Sequence, residues 1–158
     1  MKTSQSGSPL PIGRSLYSRA ILIDTGALLA LVSPRDSNHQ QAIACLNKIK
    51  DHRLPVFVSL PTIYESHRRF LFDFGYTVAV RFLHEIHDGS INIVRTVEED
   101  EQEAMRLVTR YEALKITLTD GVNMAVMVRL GIATSFSFDR HYLQAGFIRI
   151  PPFHLRDS

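Results

Sequence analysis

From position 20 onward the chain alternates short unbroken apolar runs with longer stretches whose apolar residues recur every three or four positions. Ala20, Ile21, Leu22 and Ile23 run into Asp24, the pattern of a strand buried on both faces that ends in an acid. Thr25 and Gly26 lead into a short helix over 27–31, broken by Ser33, Pro34, Arg35 and Asp36. A helix is predicted over 37–50, with Ala42, Cys45, Leu46 and Ile49 on its inner face and Ser37 as its N-cap. Val56, Phe57 and Val58 read as a second strand, and the helix after it carries Pro61 in its first turn, then Glu65. Val78, Phe82, Leu83 and Ile86 form another helical face, closed by Asp88 and Gly89 before a strand over 91–94. A helix over 98–111 turns Ala104, Leu107, Val108 and Tyr111 inward. The next, over 119–130, is apolar on nearly every side and capped by Thr119 or Asp120. Strands over 132–138 and 147–150 complete the pattern, the last ended by Pro151 and Pro152. Short strands alternating with helices predict an α/β fold, a three-layer sandwich with a mainly parallel central sheet flanked by helices.

The pattern divides the chain into a flexible lead-in over 1–19, a domain over 20–151 and a tail over 152–158, with no internal repeat. At 158 residues, 45% hydrophobic and 22% charged, the composition is that of a globular domain with one core. Eighteen basic against sixteen acidic residues give a net charge of +2, too small for bulk electrostatics to indicate a nucleic-acid binder. The one cysteine, Cys45, lies on an apolar stripe; it permits neither an intrachain disulfide nor a cysteine-based zinc site and fits a reducing compartment. The first twenty residues hold no apolar run of signal-peptide length, and no stretch approaches the roughly 20 residues of a membrane helix, so a cytoplasmic protein without a membrane partner is expected.

Candidate chemistry follows from where the acids fall. In open α/β sheets ligands bind beyond the carboxyl ends of the strands, and Asp24 and Asp139 stand at such ends. Asp120 opens an apolar helix, where an unpaired carboxylate is costly and a neighbouring cation would offset that cost. Glu65 is by itself an ordinary helical glutamate. Each has a plain reading: Asp24 as the cap of the Thr25 helix, Asp120 as the cap of its own helix, Asp139 as a turn residue, Glu65 as solvated surface. Together they make a set of hard oxygen donors suited to Mg²⁺ or Mn²⁺, able to activate water for attack on a phosphodiester.

Five segments carry a family resemblance. They are Ile21 to Leu28 (ILIDTGAL), His39 to Ala42 (HQQA), the helical Glu65, Leu118 to Asp120 (LTD), and Ser137 to Tyr142 (SFDRHY) followed by Ala145-Gly146-Phe147. In order and interval they resemble PIN-domain ribonucleases of the VapC toxin type across about 20–150. The resemblance implies a PIN-like fold and a Mg²⁺- or Mn²⁺-dependent endoribonuclease whose catalytic and metal-holding acids are Asp24, Glu65, Asp120 and Asp139. It further implies a toxin held inactive by a small antitoxin whose tail occupies the acidic groove, and a homodimer formed through helical faces, with Val78, Phe82 and Ile86 as either interface or core. Gly121 stands where the family more often has alanine, and Ser137 where threonine is frequent. The alternative is a catalytically silent PIN-like RNA-binding or scaffold module, which would ordinarily lack one of the four acids. A phosphatase using Asp24 as nucleophile would carry a second acid two residues on, where this chain has Gly26.

Supporting roles fall to neighbours of these acids. The Thr25 hydroxyl can orient a carboxylate or cap its helix, and the Asn123 amide oxygen, three residues after Asp120, is a candidate to approach the metal or its water. Arg68, Arg69, Arg140 and His141 are candidates for RNA phosphates, with solvated surface as the competing reading. His84 and His87 lack the spacing and the third ligand of a zinc site. The acidic run over 98–103 reads as a solvated face matched to its helix dipole, with Glu103 paired to Arg106. No glycine-rich phosphate loop follows any strand.

Overall fold

The computed structural model describes residues 19–152, so most of the expected lead-in and tail lies outside the described residues. Five parallel strands, β1 (Ile21–Ile23), β2 (Val56–Ser59), β3 (Asn92–Val94), β4 (Thr134–Phe136) and β5 (Ile148–Ile150), form one sheet in the order β3-β2-β1-β4-β5. Helices α1 (Thr25–Val32), α2 (His39–Asp51), α3 (Leu60–Phe74), α4 (Tyr76–Ile86), α5 (Glu98–Arg110), α6 (Leu118–Leu130) and the short α7 (His141–Gln144) flank it. The sheet is thus wholly parallel among the described residues, as buried β-α crossovers require.

Successive strand residues point to opposite sides, and this period of two separates the core into two layers. Ile21, Ile23, Val56 and Val58 pack beneath α1 to α4, against Ala27, Cys45, Ile63, Phe70 and Phe82. Leu22 and Phe57 point the other way, onto Leu107 of α5, Met124 and Met127 of α6, and Tyr142 of α7. Phe82 and Ile86 are fully enclosed here, so the α4 face is core, while Val78 is half-buried. Cys45 is likewise core, and burial pushes its thiol up to about 11.

Several boundaries differ from the periodicity. Helix α2 starts at His39 after Asn38, not at a Ser37 cap, and Asn38 makes no side-chain capping bond. Helix α1 begins at Thr25, because Asp24 is its N-cap and accepts the Ala27 N–H at 2.8 Å. Helix α6 is capped by Thr117 rather than Thr119 or Asp120, so Asp120 becomes its third residue. The strands β4 and β3 are shorter than the apolar runs containing them. The segment after Asp139 coils into α7, and Glu112–Leu114 forms a 3₁₀ turn; both are too short for a periodic signal. Gly75, at φ 91°, allows the chain to leave α3 and enter α4 without an intervening loop.

The acidic run does not lie wholly in solvent. Glu103 does pair with Arg106 on the surface, at 2.7 Å. Asp100, however, is 2% exposed and holds Arg129 of α6 through two 2.8 Å hydrogen bonds, while its carboxylate also accepts the Val97 N–H. The partner lies 29 residues away, beyond the reach of any local pattern.

Candidate active site

The strand order reverses direction at β1: the chain proceeds outward through β2 and β3, then returns to place β4 on the opposite side of β1. A crevice opens beyond the carboxyl ends of strands at such a switch point. Asp24 directly follows β1, and Ser137 and Asp139 follow β4. Helix α3, continuing from β2, contributes Glu65, and the first turn of α6 contributes Asp120. All four acids line one cleft of about 190 Å³, with Thr25, Arg69, Asn123 and Phe138 also in its wall.

Asp24 is 6% exposed. Burial raises its pKa from 3.8 to about 7; the Ser137 and Ala27 hydrogen bonds pull downward, while the charges of Asp120 and Asp139 add to the rise. The hydroxyl of Ser137 donates to Asp24 Oδ2 and accepts the Asp139 N–H at 2.9 Å, so one side chain ties the two strand-end acids together. Arg149 of β5 donates to the Ser137 carbonyl at 3.2 Å. Asp120 Oδ2 accepts the Thr117 N–H at 2.9 Å, and Thr117 Oγ1 accepts the Asp120 N–H at 3.1 Å, a reciprocal capping box that fixes the carboxylate at the helix entrance. Burial raises the Asp120 carboxyl above its ordinary range, opposed by the Thr117 bonds and reinforced by Asp139. These are acids that resist ionising beside one another in the absence of a cation, and their donor set fits a hard divalent ion.

The auxiliary residues take different parts. Asn123 is fully buried: its Oδ1 accepts from Ser59 and Thr62, and its Nδ2 donates to Thr62 Oγ1 at 3.0 Å and to the Tyr142 hydroxyl at 3.1 Å. Its amide oxygen is therefore occupied, and Asn123 joins α6 to the β2–α3 junction and α7 beneath the acids. Thr25 is the first residue of α1 and not its cap; its buried hydroxyl makes no hydrogen bond. Of the expected RNA contacts, Arg69 reaches the cleft wall and pairs with Asp73 at 3.2 Å, whereas Arg68 lies over the Phe72 ring at 5.5 Å. Arg140 is exposed beside the site. His141 faces inward, with Nδ1 3.0 Å from Asp139 Oδ1 and 3.9 Å from Asp120 Oδ2. The sequence pattern did not foretell Ser137 as a bridge, Thr117 as a cap or the Ser59, Thr62 and Tyr142 network. Only Thr117 left a local trace, in its spacing of three from Asp120.

Ribonuclease VapC26 of Mycobacterium tuberculosis is 24% identical to this chain over 125 residues, covering 79% of this chain and 90% of that protein. Among solved structures, M. tuberculosis VapC20, a sarcin-ricin loop cleaving toxin, superposes with a TM-score of 0.75 at 22% identity, covering 84% of this chain and all of the other. A toxin-antitoxin complex from Klebsiella pneumoniae superposes with a TM-score of 0.63 at 17% identity, over 86% of this chain and 100% of its counterpart. The PIN domain family model matches residues 21–148, from the first residue of β1 to the first of β5, and therefore takes in the whole cleft. The chain belongs to the PIN domain family.

Proposed function

We propose that this protein is a Mg²⁺- or Mn²⁺-dependent endoribonuclease and the toxin of a toxin-antitoxin pair, with Asp24, Glu65, Asp120 and Asp139 as its catalytic acids. The observation that carries this reading is the gathering of all four acids around one cleft at the switch point of a PIN fold. The similarity to a curated ribonuclease and the fold shared with toxins support it.

Asp24, Asp120 and Asp139 would hold the cation. Bound there, a divalent ion supplies Lewis-acid activation of water and neutralises charge building on the phosphodiester. Ser137 ties the Asp24 carboxylate to the Asp139 backbone, so little reorganisation is needed on loading. Glu65, half-buried on the α3 wall, accepts a hydrogen bond from the attacking water and orients it. Arg69, one turn further along α3, offers its guanidinium to an RNA phosphate, its surface pairing with Asp73 being weak enough to exchange.

An antitoxin tail with a basic side chain would complement the same acids. A homodimer would use the exposed aromatics Tyr64, Phe72 and Tyr76 of α3 and α4 in place of the expected α4 face, since Phe82 and Ile86 are enclosed. A cytoplasmic location suits such a protein; among the described residues no helix is long and apolar enough to cross a membrane.

The deciding experiment incubates purified protein with a panel of structured RNAs, including tRNA, in Mg²⁺, Mn²⁺ or EDTA, beside identically prepared Asp24→Asn and Asp120→Asn. Metal-dependent cleavage by the wild type and at least a hundredfold less by either variant is expected. Equal cleavage by wild type and variants would reject the site. RNA binding without cleavage would favour the silent module.

A further inference from the structure

His141 opens α7 two residues after Asp139, at the foot of the cleft. Its Nδ1 is shut off from solvent and makes no hydrogen bond. It nevertheless sits 3.0 Å from Asp139 Oδ1, in an approach misaligned for one, and that oxygen already accepts the His141 backbone N–H at 2.9 Å. The same Nδ1 is 3.9 Å from Asp120 Oδ2, and one donor atom from each of the three residues lies within 4.8 Å of the other two. Three donor atoms thus stand at ion-pair distance with no hydrogen bond at Nδ1 to join them, an arrangement that a shared cation fits. Around an octahedral ion with bonds of about 2.1 Å, neighbouring donors stand about 3 Å apart and opposite donors about 4.2 Å; the 3.0 Å separation matches the first, and the 3.9 Å separation falls a few tenths of an ångström short of the second.

We propose that His141 Nδ1 is a direct ligand of the divalent ion in this cleft, beside Asp120 and Asp139, and that it biases the site toward Mn²⁺ over Mg²⁺. The inference rests on the metal-dependent reading of the site. Imidazole nitrogen is a softer donor than carboxylate or water, and later first-row ions gain from it where Mg²⁺ does not. The turn that makes it possible is local: Asp139 accepts the His141 N–H, which sets the carboxylate and the ring on the same side of α7. A ring turned this way has only Nε2 left to offer an RNA phosphate.

The test is pulsed electron paramagnetic resonance of the full-length protein loaded with Mn²⁺, which detects a nitrogen bonded to the ion without any substrate. Directly coordinated ¹⁴N in the wild type is expected. The chain has seven histidines, so His141→Gln assigns the signal, and it should lose it. Titration calorimetry should show Mn²⁺ affinity about tenfold weaker in His141→Gln, with Mg²⁺ affinity changed by less than about threefold. Mn²⁺ bound without nitrogen coupling in the wild type, or coupling that survives in the variant, overturns the assignment and leaves the metal-dependent nuclease standing. Failure of the wild type to bind either ion would overturn both. A wild-type spectrum without nitrogen coupling overturns the assignment whatever the variant does, and if His141→Gln folds poorly His141→Asn takes its place in assigning the signal.

Discussion

The Asp24 carboxylate concentrates the tension of this site. Folding buries it, and its pKa rises from 3.8 to about 7. Because the folded-state value lies above the unfolded one, the group's contribution to stability is complete below about pH 4 and is lost progressively as the pH rises to about 7. The whole rise corresponds to up to about 4 kcal/mol. In metal-free buffer at pH 8, Asp24→Asn should therefore melt at a higher temperature than the wild type, since asparagine keeps the cap on Ala27 without the buried charge. Near pH 4 that gain should vanish; an equal gain at both pH values would assign it to something other than the charge. The same linkage makes metal binding release protons, and Mg²⁺ affinity should tighten as the pH rises to about 7 and level above it, as followed by calorimetry in two buffers. At this scale the sequence exposed the acids and left their surroundings hidden. Asp24 and Asp139 stood out at strand ends, but the Ser137 hydroxyl between them is 113 residues from Asp24, and Asn123 gives its amide to residues more than 60 positions earlier.

Among the elements, the α5–α6 pair carries the Asp120 entrance, and two features lock it. A Cβ at Gly121 would stand 2.9 Å from the Ala104 carbonyl oxygen and 3.2 Å from Val108, so glycine lets the first turn of α6 lie against α5. Alanine there gains about 1 kcal/mol of helix propensity but forces backbone apart. Gly121→Ala should lose about 1–2 kcal/mol net, seen as a lower urea midpoint at unchanged slope. The second lock is Asp100 with Arg129. Arg129→Met would leave Asp100 buried and unpaired, and a loss of about 3 kcal/mol is expected, against almost none for Glu98→Gln on the same helix. The periodicity found both helices and their inner faces, Ala104 and Leu107 included. It misassigned caps, because an N-cap is chosen by a side chain meeting one particular N–H, as Thr117 meets Asp120, and not by hydrophobic spacing.

Across the whole molecule, the cleft exists because β1 and β4 are neighbours, although more than a hundred residues separate them. Bringing strand-end acids together this way concentrates negative charge that a bound cation neutralises, so loading should stabilise the fold by mass action. Adding Mn²⁺ at pH 8 should raise the melting temperature of the wild type and leave a double variant, Asp24→Asn with Asp139→Asn, unmoved; a similar rise in both would place the ion elsewhere. By itself the sequence determined the α/β class, the parallel sheet flanked by helices and the acids offered to a metal, because the periods of strand and helix and the chemistry of a carboxylate are local properties. Only the tertiary structure decided that β1 lies between β2 and β4, that Asn123 is spent inside the core, that Asp100 is clamped by Arg129 and that the His141 ring turns toward Asp139 and Asp120. Those outcomes depend on which distant segments share a surface, a choice made by the burial of the whole chain and left unmarked in any window of neighbouring residues.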